Sequence, residues 1–270
     1  MGEYCLHNIK SSYQQKKSWE KQFPINYFLV RPLSFYITYV IIRITRSPAK
    51  IAMFGFVLGL LGCLMLTLSS LCTIWPGLLL IFFYSLSDAV DGNVARTTRN
   101  VTLFGKYLDG LIGDLIDGWY PFFLGLGLYF YPETSKDPFI RNLLHEHATI
   151  LPLFLASLIL ITNLWARSFA TTYQLYRIRK HGTPPSDDHE LTAPVAKSRH
   201  SDRWYYLVFV NMDCLNNQLV ILAFLALLKI EIWFLILFSF FYFTKAIFYL
   251  FIYFRKTRSL LLKSHDPLKF

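Results

Sequence analysis

Five aspartates gather in a short stretch of a chain that is otherwise strongly apolar. Asp88 and Asp91 are three residues apart, and Asp109, Asp114 and Asp117 follow after a short connection. Residues three apart lie on the same face of a helix, about one turn from each other. A carboxylate at membrane depth is costly unless it faces a cavity, a counter-charge or an ion. The cluster therefore predicts a functional site that binds cations.

The spacing of the aspartates favours a site for two divalent cations. Asp109 begins a polar face on the next predicted helix, so two antiparallel helices would oppose it to Asp88 and Asp91 across a cleft. Carboxylate oxygens suit magnesium, manganese or calcium better than zinc or copper. A pair of such ions can clamp the attacking and leaving oxygens of a phosphoryl-type transfer.

Glycines and an arginine accompany the carboxylates. Gly92 follows Asp91, and Gly105 precedes Asp109 by four residues, which leaves room for a ligand to approach the backbone. Arg96 offers a two-pronged donor for a phosphate group. The alternative is that the glycines only pack helices and the charges form a structural ion network.

The rest of the chain has the composition of an integral membrane protein. Apolar residues make up 54% of its 270 residues and aromatic residues 18%, and the mean hydropathy is +0.38. A helix needs about 20 apolar residues to cross a bilayer. Six segments reach that length, namely 51–72, 75–94, 107–130, 149–170, 205–228 and 232–253. We therefore expect an all-α membrane protein with six transmembrane helices.

The formal net charge of +10 indicates lipid headgroups rather than nucleic acid as the partner. Basic residues gather before the first predicted span, between the second and third, between the fourth and fifth, and after the sixth. The alternate connections carry fewer of them. The positive-inside rule then predicts a multi-pass protein whose termini and aspartate cluster face the cytoplasm.

The chain divides into three regions. Residues 1–50 form a cytoplasmic segment that contains an amphipathic interfacial helix at about 26–46. Residues 51–254 form the transmembrane catalytic domain, and 255–270 form a basic cytoplasmic tail. Residues 177–203 have mixed charge and several prolines without helical periodicity, which predicts a loop.

Polar residues in the last three predicted spans are candidates for binding a second substrate. Asp213 and Asn217 share a helical face in the fifth span, where they would line a cavity or bond to another helix. Arg167 in the fourth span would bind a phosphorylated acceptor or anchor the span end. Lys245 in the sixth has the same two readings, with snorkelling to the interface preferred. These groups favour a polyhydroxy or phosphorylated acceptor.

The residues around the aspartates carry a resemblance to a known family. Their pattern is Asp88-x2-Asp91-Gly92-x2-Ala95-Arg96-x8-Gly105-x3-Asp109. It resembles, spacing for spacing, the signature of the CDP-alcohol phosphotransferases, also called CDP-alcohol phosphatidyltransferases. The resemblance implies six transmembrane helices preceded by an amphipathic helix, usually in a homodimer.

The resemblance also implies roles for the matching positions. Asp88, Asp91 and Asp109 would bind two Mg²⁺ or Mn²⁺ ions and, through them, the diphosphate of a CDP-alcohol donor. The cytidine and phosphate pocket would be lined by Gly92, Ala95, Arg96 and Gly105. An acceptor hydroxyl would attack the β-phosphorus and release CMP, which places the enzyme in phospholipid or related biosynthesis.

The chain departs from the signature at its fourth aspartate. The resemblance leads us to expect that residue, a metal ligand and general base, at position 113, which is Gly113, and Asp114 follows directly. In a regular helix position 114 points about 140° away from Asp109. A one-residue π bulge would bring Asp114 to the metal face, as metal ligand and catalytic base. Asp117 or another group could serve instead, or the base could be missing.

Other functions stay open at this point. A family member without a working base would bind a CDP-alcohol donor without transfer. A divalent-cation transporter would use the same carboxylates but would have no use for Arg96, Gly92 and Gly105. A scaffold would use the aspartates only to fold.

Overall fold

The computed structural model describes residues 5–13, 20–131, 150–181 and 204–262. Within these ranges the regular elements are helices and no strand is present, as predicted. They are α1 Leu6–Ser12, α2 Arg31–Ile41, α3 Pro48–Leu66, α4 Leu71–Thr97, α5 Leu103–Phe130, α6 Leu151–His181, α7 Trp204–Met212, α8 Leu215–Leu228 and α9 Ile232–Leu262. A π-helical turn, Asn26–Val30, leads directly into α2.

Among the residues that the structure describes, four helices are long and apolar enough to cross a membrane. The spans are Pro48–Leu66 in α3, Cys72–Thr97 in α4, Leu151–Tyr173 in α6 and Ile232–Arg258 in α9. Helix α5 has 28 residues but carries Asp109, Asp114 and Asp117. The protein is thus an integral multi-pass membrane protein, while the count of six spans stays a prediction.

The predicted fifth span, 205–228, is not one helix. It breaks at Asp213 and Cys214 into α7 and α8, which has only 14 residues. The amide side chains of Asn217 and Gln218 donate to the carbonyls of Asn211 and Met212, at 3.0 and 2.6 Å. These bonds satisfy carbonyls that the break frees, which a helix in an apolar environment requires.

Close packing of α3 against α4 depends on glycines. A Cβ built on Gly62 would lie 2.8 Å from the carbonyl oxygen of Gly77. Helices α4, α5, α6, α8 and α9 continue the same core, whose largest fully buried side chains include Tyr120, Phe234 and Phe238. The core lies beneath the aspartate cluster and fixes the relative positions of α4 and α5.

The N-terminal helices pack against α4. The Glu20 carboxylate accepts hydrogen bonds from the Tyr13 hydroxyl and from the Arg31 guanidinium. Burial of Tyr13, together with its bond to Glu20, raises the pKa of its hydroxyl. These contacts hold α1 and α2 beside the end of α4, while the predicted location of α2 at a membrane interface stays a prediction.

The described ranges leave out parts of the predicted regions. They are residues 1–4 and 14–19 of the N-terminal segment, the connection at 132–149, most of the predicted loop at 182–203, and the end of the basic tail at 263–270.

Candidate active site

Three aspartates converge where α4 ends and α5 begins. One oxygen from each of Asp88, Asp91 and Asp109 lies within 4.8 Å of the others. Asp91 is buried, and Asp88 and Asp109 are exposed. A small cavity of about 10 Å³ borders all three carboxylates, which is close to the space of a single water-sized group. Three hard oxygen ligands around such a cavity fit a magnesium or manganese ion.

The turn between α4 and α5 places these side chains opposite each other. Helix α4 ends with Arg99 in the left-handed region, at φ 54°, and the Asn100 N–H donates to the Ala95 carbonyl at 3.0 Å. This is the hydrogen bond that closes a helix when the chain reverses direction. Thr102 then caps α5 by accepting a bond from the Gly105 N–H at 3.0 Å. Asp109 therefore faces Asp88 and Asp91.

A second, larger cavity adjoins the three aspartates. Its volume is about 500 Å³, within the range of small-molecule sites. It is bordered by Asp91, Asp109 and all the residues predicted to bind the donor, Gly92, Ala95, Arg96 and Gly105. Ser12 of α1 also borders it, so the N-terminal segment contributes to its wall.

The guanidinium of Arg96 lies over Gly92. A Cβ on that glycine would be 3.2 Å from Nη1 and 3.4 Å from Nη2. Nη2 donates to Asn93 Oδ1 at 2.8 Å, and Nε has no hydrogen-bond partner among the described residues. The absence of a side chain on Gly92 therefore lets Arg96 lie flat beside the carboxylates.

Asn93 connects Arg96 to helix α2. Its amide nitrogen donates to Ser34 Oγ at 3.0 Å and to Thr38 Oγ1 at 3.3 Å, and its side chain is fully buried. Sequence reasoning did not single out Asn93. Its position within the signature, between Gly92 and Arg96, is the sequence feature that could have indicated its role.

The predicted bulge in α5 is not present. The helix is α-helical from Leu103 to Phe130, so Asp114 points away from the three clustered aspartates. It forms an ion pair with Arg167 of α6, whose Nη2 also contacts Asp117 Oδ2 at 2.7 Å. The roles predicted for Asp114 as base and metal ligand stay predictions, and this geometry does not support them.

The residues predicted to bind the acceptor have partners within the protein. Lys245 Nζ lies 2.5 Å from Asp213 Oδ1, and its side chain is 4% exposed, so the preferred snorkelling interpretation is wrong. Asn217 donates to the side-chain and backbone oxygens of Asn211. These contacts favour the alternative of hydrogen bonding inside the bundle.

Comparison with known proteins agrees with the site. A sequence model described as CDP-alcohol phosphatidyltransferase matches residues 45–183, slightly more than half of the chain, and the match spans α3 to α6 with every clustered aspartate. No curated protein matches the chain. From the matched region and the aspartates it contains, the chain belongs to the CDP-alcohol phosphatidyltransferase family.

Proposed function

We propose that the protein transfers a substituted phosphate from a CDP-alcohol donor to an acceptor hydroxyl and releases CMP. The observation that carries this proposal is the convergence of Asp88, Asp91 and Asp109 within 4.8 Å beside a cavity bordered by the rest of the signature. A structural ion network alone would give no reason for an adjoining cavity of about 500 Å³.

The residues around the cavity would have different roles in the reaction. Asp88, Asp91 and Asp109 would hold two Mg²⁺ or Mn²⁺ ions, which neutralise the diphosphate and stabilise the charge that develops on the leaving oxygen. Arg96 would donate to a phosphate oxygen from its position over Gly92. The small residues Ala95 and Gly105 in the cavity wall would leave space for the cytosine ring of the donor.

The bonds made and broken follow from the substrates. The acceptor oxygen forms a bond to the β-phosphorus of the donor, and the bond from that phosphorus to the bridging oxygen of CMP breaks. The acceptor hydroxyl loses its proton, and no protein-bound intermediate is required. Asp114 would take that proton only if Arg167 released it and α5 rearranged locally.

The acceptor is proposed to be a polyhydroxy or phosphorylated alcohol. Arg167, Asp213 and Asn217 would reach it only by exchanging their present partners, Asp114, Lys245 and Asn211. A homodimer, six spans and an active site on the cytoplasmic side complete the proposal, on the basis of the family resemblance and the charge pattern.

The test is CMP release by the purified protein with magnesium or manganese. CDP-diacylglycerol and CDP-polyol donors would be combined with inositol phosphate, glycerol phosphate and lipid alcohols. Asp91→Asn, which keeps the shape of the side chain, should abolish release, because it removes a buried charge from the metal site. Glu231→Gln is the matched control, since it changes a buried carboxylate outside the site.

The alternatives give different results in the same assay. Donor binding without CMP release would identify a member that lacks a working base. Cation flux in proteoliposomes without CMP release would identify a transporter. Loss of folding in Asp91→Asn, without any catalysis in the wild type, would indicate a structural role for the aspartates.

A further inference from the structure

Tyr84 of α4 lies in a slot formed by glycines. A Cβ on Gly59 of α3 would lie 3.1 Å from Tyr84 Cγ, and one on Gly55 would lie 3.7 Å from Cδ2. The Tyr84 side chain is 5% exposed. A side chain at position 59 would therefore crowd the ring, whereas one at position 55 would make only an ordinary contact with it, so Gly59 is the glycine that leaves room for the ring.

The hydroxyl of this ring lies next to the position where the fourth aspartate is missing. A Cβ on Gly113 of α5 would be 3.8 Å from Tyr84 Oη, and among the described residues of the other helices no heavy atom lies nearer to it. That separation is an ordinary van der Waals contact. A carboxylate attached at position 113 would thus extend into the space beside the Tyr84 hydroxyl.

Tyr84 also borders the three clustered aspartates. The small cavity between α3, α4 and α5 has Tyr84, Asp88, Asp91 and Asp109 in its wall. A buried tyrosine hydroxyl usually finds a hydrogen-bond partner, and the hydroxyl of an acceptor alcohol at the edge of this cavity would be one.

We propose that the Tyr84 hydroxyl takes the place of the missing fourth carboxylate and contacts the attacking hydroxyl of the acceptor. The inference rests on the proposed function and adds a residue to it. The Tyr84 oxygen accepts a hydrogen bond from the acceptor O–H, which holds the acceptor oxygen towards the β-phosphorus. As that oxygen bonds to phosphorus and CMP leaves, the acceptor proton is released to water.

A group that orients the acceptor is sufficient for this chemistry. Phosphoryl transfer passes through a loose transition state, so positioning and electrostatics supply most of the catalysis. A tyrosine hydroxyl is a weak base but a well-defined hydrogen-bonding group. Because the Tyr84 ring is buried, its hydroxyl has a defined position.

The central test is Tyr84→Phe, which keeps the ring in its glycine slot and removes only the hydroxyl. We expect acceptor-dependent CMP release to fall about 100-fold, the lower range for loss of such a group. Manganese binding, CDP-donor binding and Tm should stay unchanged. Tyr120→Phe is the control, because it deletes a buried hydroxyl that bonds to Gln218 away from the cavity, and its catalytic rate should remain near wild type.

A second variant separates a catalytic role from a structural one. Gly113→Asp restores the carboxylate that the family signature contains, and the 3.8 Å clearance leaves room for its Cβ. In the Tyr84→Phe background, Gly113→Asp should recover at least about tenfold of the lost rate, since the new carboxylate can receive the acceptor proton. A hydroxyl needed only for packing would not be replaced in this way.

Several results would overturn the inference. Tyr84→Phe with the wild-type rate would do so, as would a loss of rate that follows lost donor binding or Tm and is not restored by Gly113→Asp. An inactive wild type that Gly113→Asp activates would also overturn it, yet would support family chemistry at this site. CMP release from none of these proteins, with any donor, would reject the proposed function together with the inference.

Discussion

Replacing Asn93 with alanine should weaken donor binding through Arg96. The substitution removes the acceptor that holds Arg96 Nη2 at 2.8 Å and the donor that reaches Ser34 and Thr38. The guanidinium then loses its fixed position over Gly92. We expect the Kd for the CDP-alcohol donor to rise about tenfold, or about 1.4 kcal/mol, because a charge-assisted bond to phosphate becomes poorly aligned.

The stability effect can be estimated from the same contacts. One bond to a charged group contributes about 2 kcal/mol and two neutral bonds about 0.5 kcal/mol each at these distances, so the loss is about 3 kcal/mol. Ser34 and Thr38 keep their own bonds to backbone carbonyls, which limits the cost. Isothermal titration with a non-transferable donor analogue and thermal unfolding in detergent would measure the two effects separately.

A double-mutant cycle with Arg96→Ala tests the reasoning. If Asn93 acts through Arg96, then Asn93→Ala should change donor affinity in the wild type but hardly at all in the Arg96→Ala background. Ser34→Ala is the matched control, since it removes one partner of Asn93 and leaves the bond to Arg96 in place. Equal tenfold losses of affinity in both backgrounds would refute the coupling.

Three further predictions concern packing, pH and the buried ion pair. Gly59→Ala should lower the free energy of unfolding by about 1–3 kcal/mol, and with it Tm and CMP release, because its Cβ would lie 2.8 Å from Ile116 Cδ1. An unchanged Tm would contradict the packing described. The pKa of the Tyr13 hydroxyl is raised in the folded protein, so the stability that this hydroxyl contributes is complete below the ordinary tyrosine pKa of about 10. It is lost as the pH rises from there through the higher folded value. Thermal unfolding from pH 8 to 11 should therefore show a decline in Tm that Tyr13→Phe lacks. Lys245→Met should destabilise the protein by about 1–3 kcal/mol because it leaves the partly buried carboxylate of Asp213 unpaired, and adding Asp213→Asn should restore most of the loss of Tm. An additive further loss would argue against the pair.

The aspartate cluster could be predicted from sequence because its information is local. Asp88 and Asp91 are three residues apart on one helix, and a short turn leads to the helix that carries Asp109. This arrangement is enough to bring the three carboxylates together. The all-α fold is predictable for a similar reason, since the length of an apolar run limits what it can form. The convergence of the three carboxylates and the all-α fold of the described residues were confirmed, while metal binding by the cluster and the count of six spans stay predictions.

The partners of isolated polar residues could not be predicted in the same way. The pairing of Asp114 with Arg167 depends on how α5 packs against α6, and sequence spacing carries no information on that contact. The polar residues near Asp213 were compatible with a substrate cavity or with a broken helix, since both need hydrogen-bonding groups in apolar surroundings. The position of Tyr84 beside Gly113 likewise depends on packing across three helices.

The most direct test of the account is the stoichiometry of the magnesium-dependent reaction, followed by ³¹P NMR with purified protein, a CDP-alcohol donor and an acceptor alcohol. We predict that one phosphodiester forms for each CMP released, that chelation of the metal stops both, and that Asp91→Asn forms neither. Formation of CMP with a phosphomonoester in place of the phosphodiester would show hydrolysis. That result, or the same phosphodiester yield from Asp91→Asn, would contradict the account.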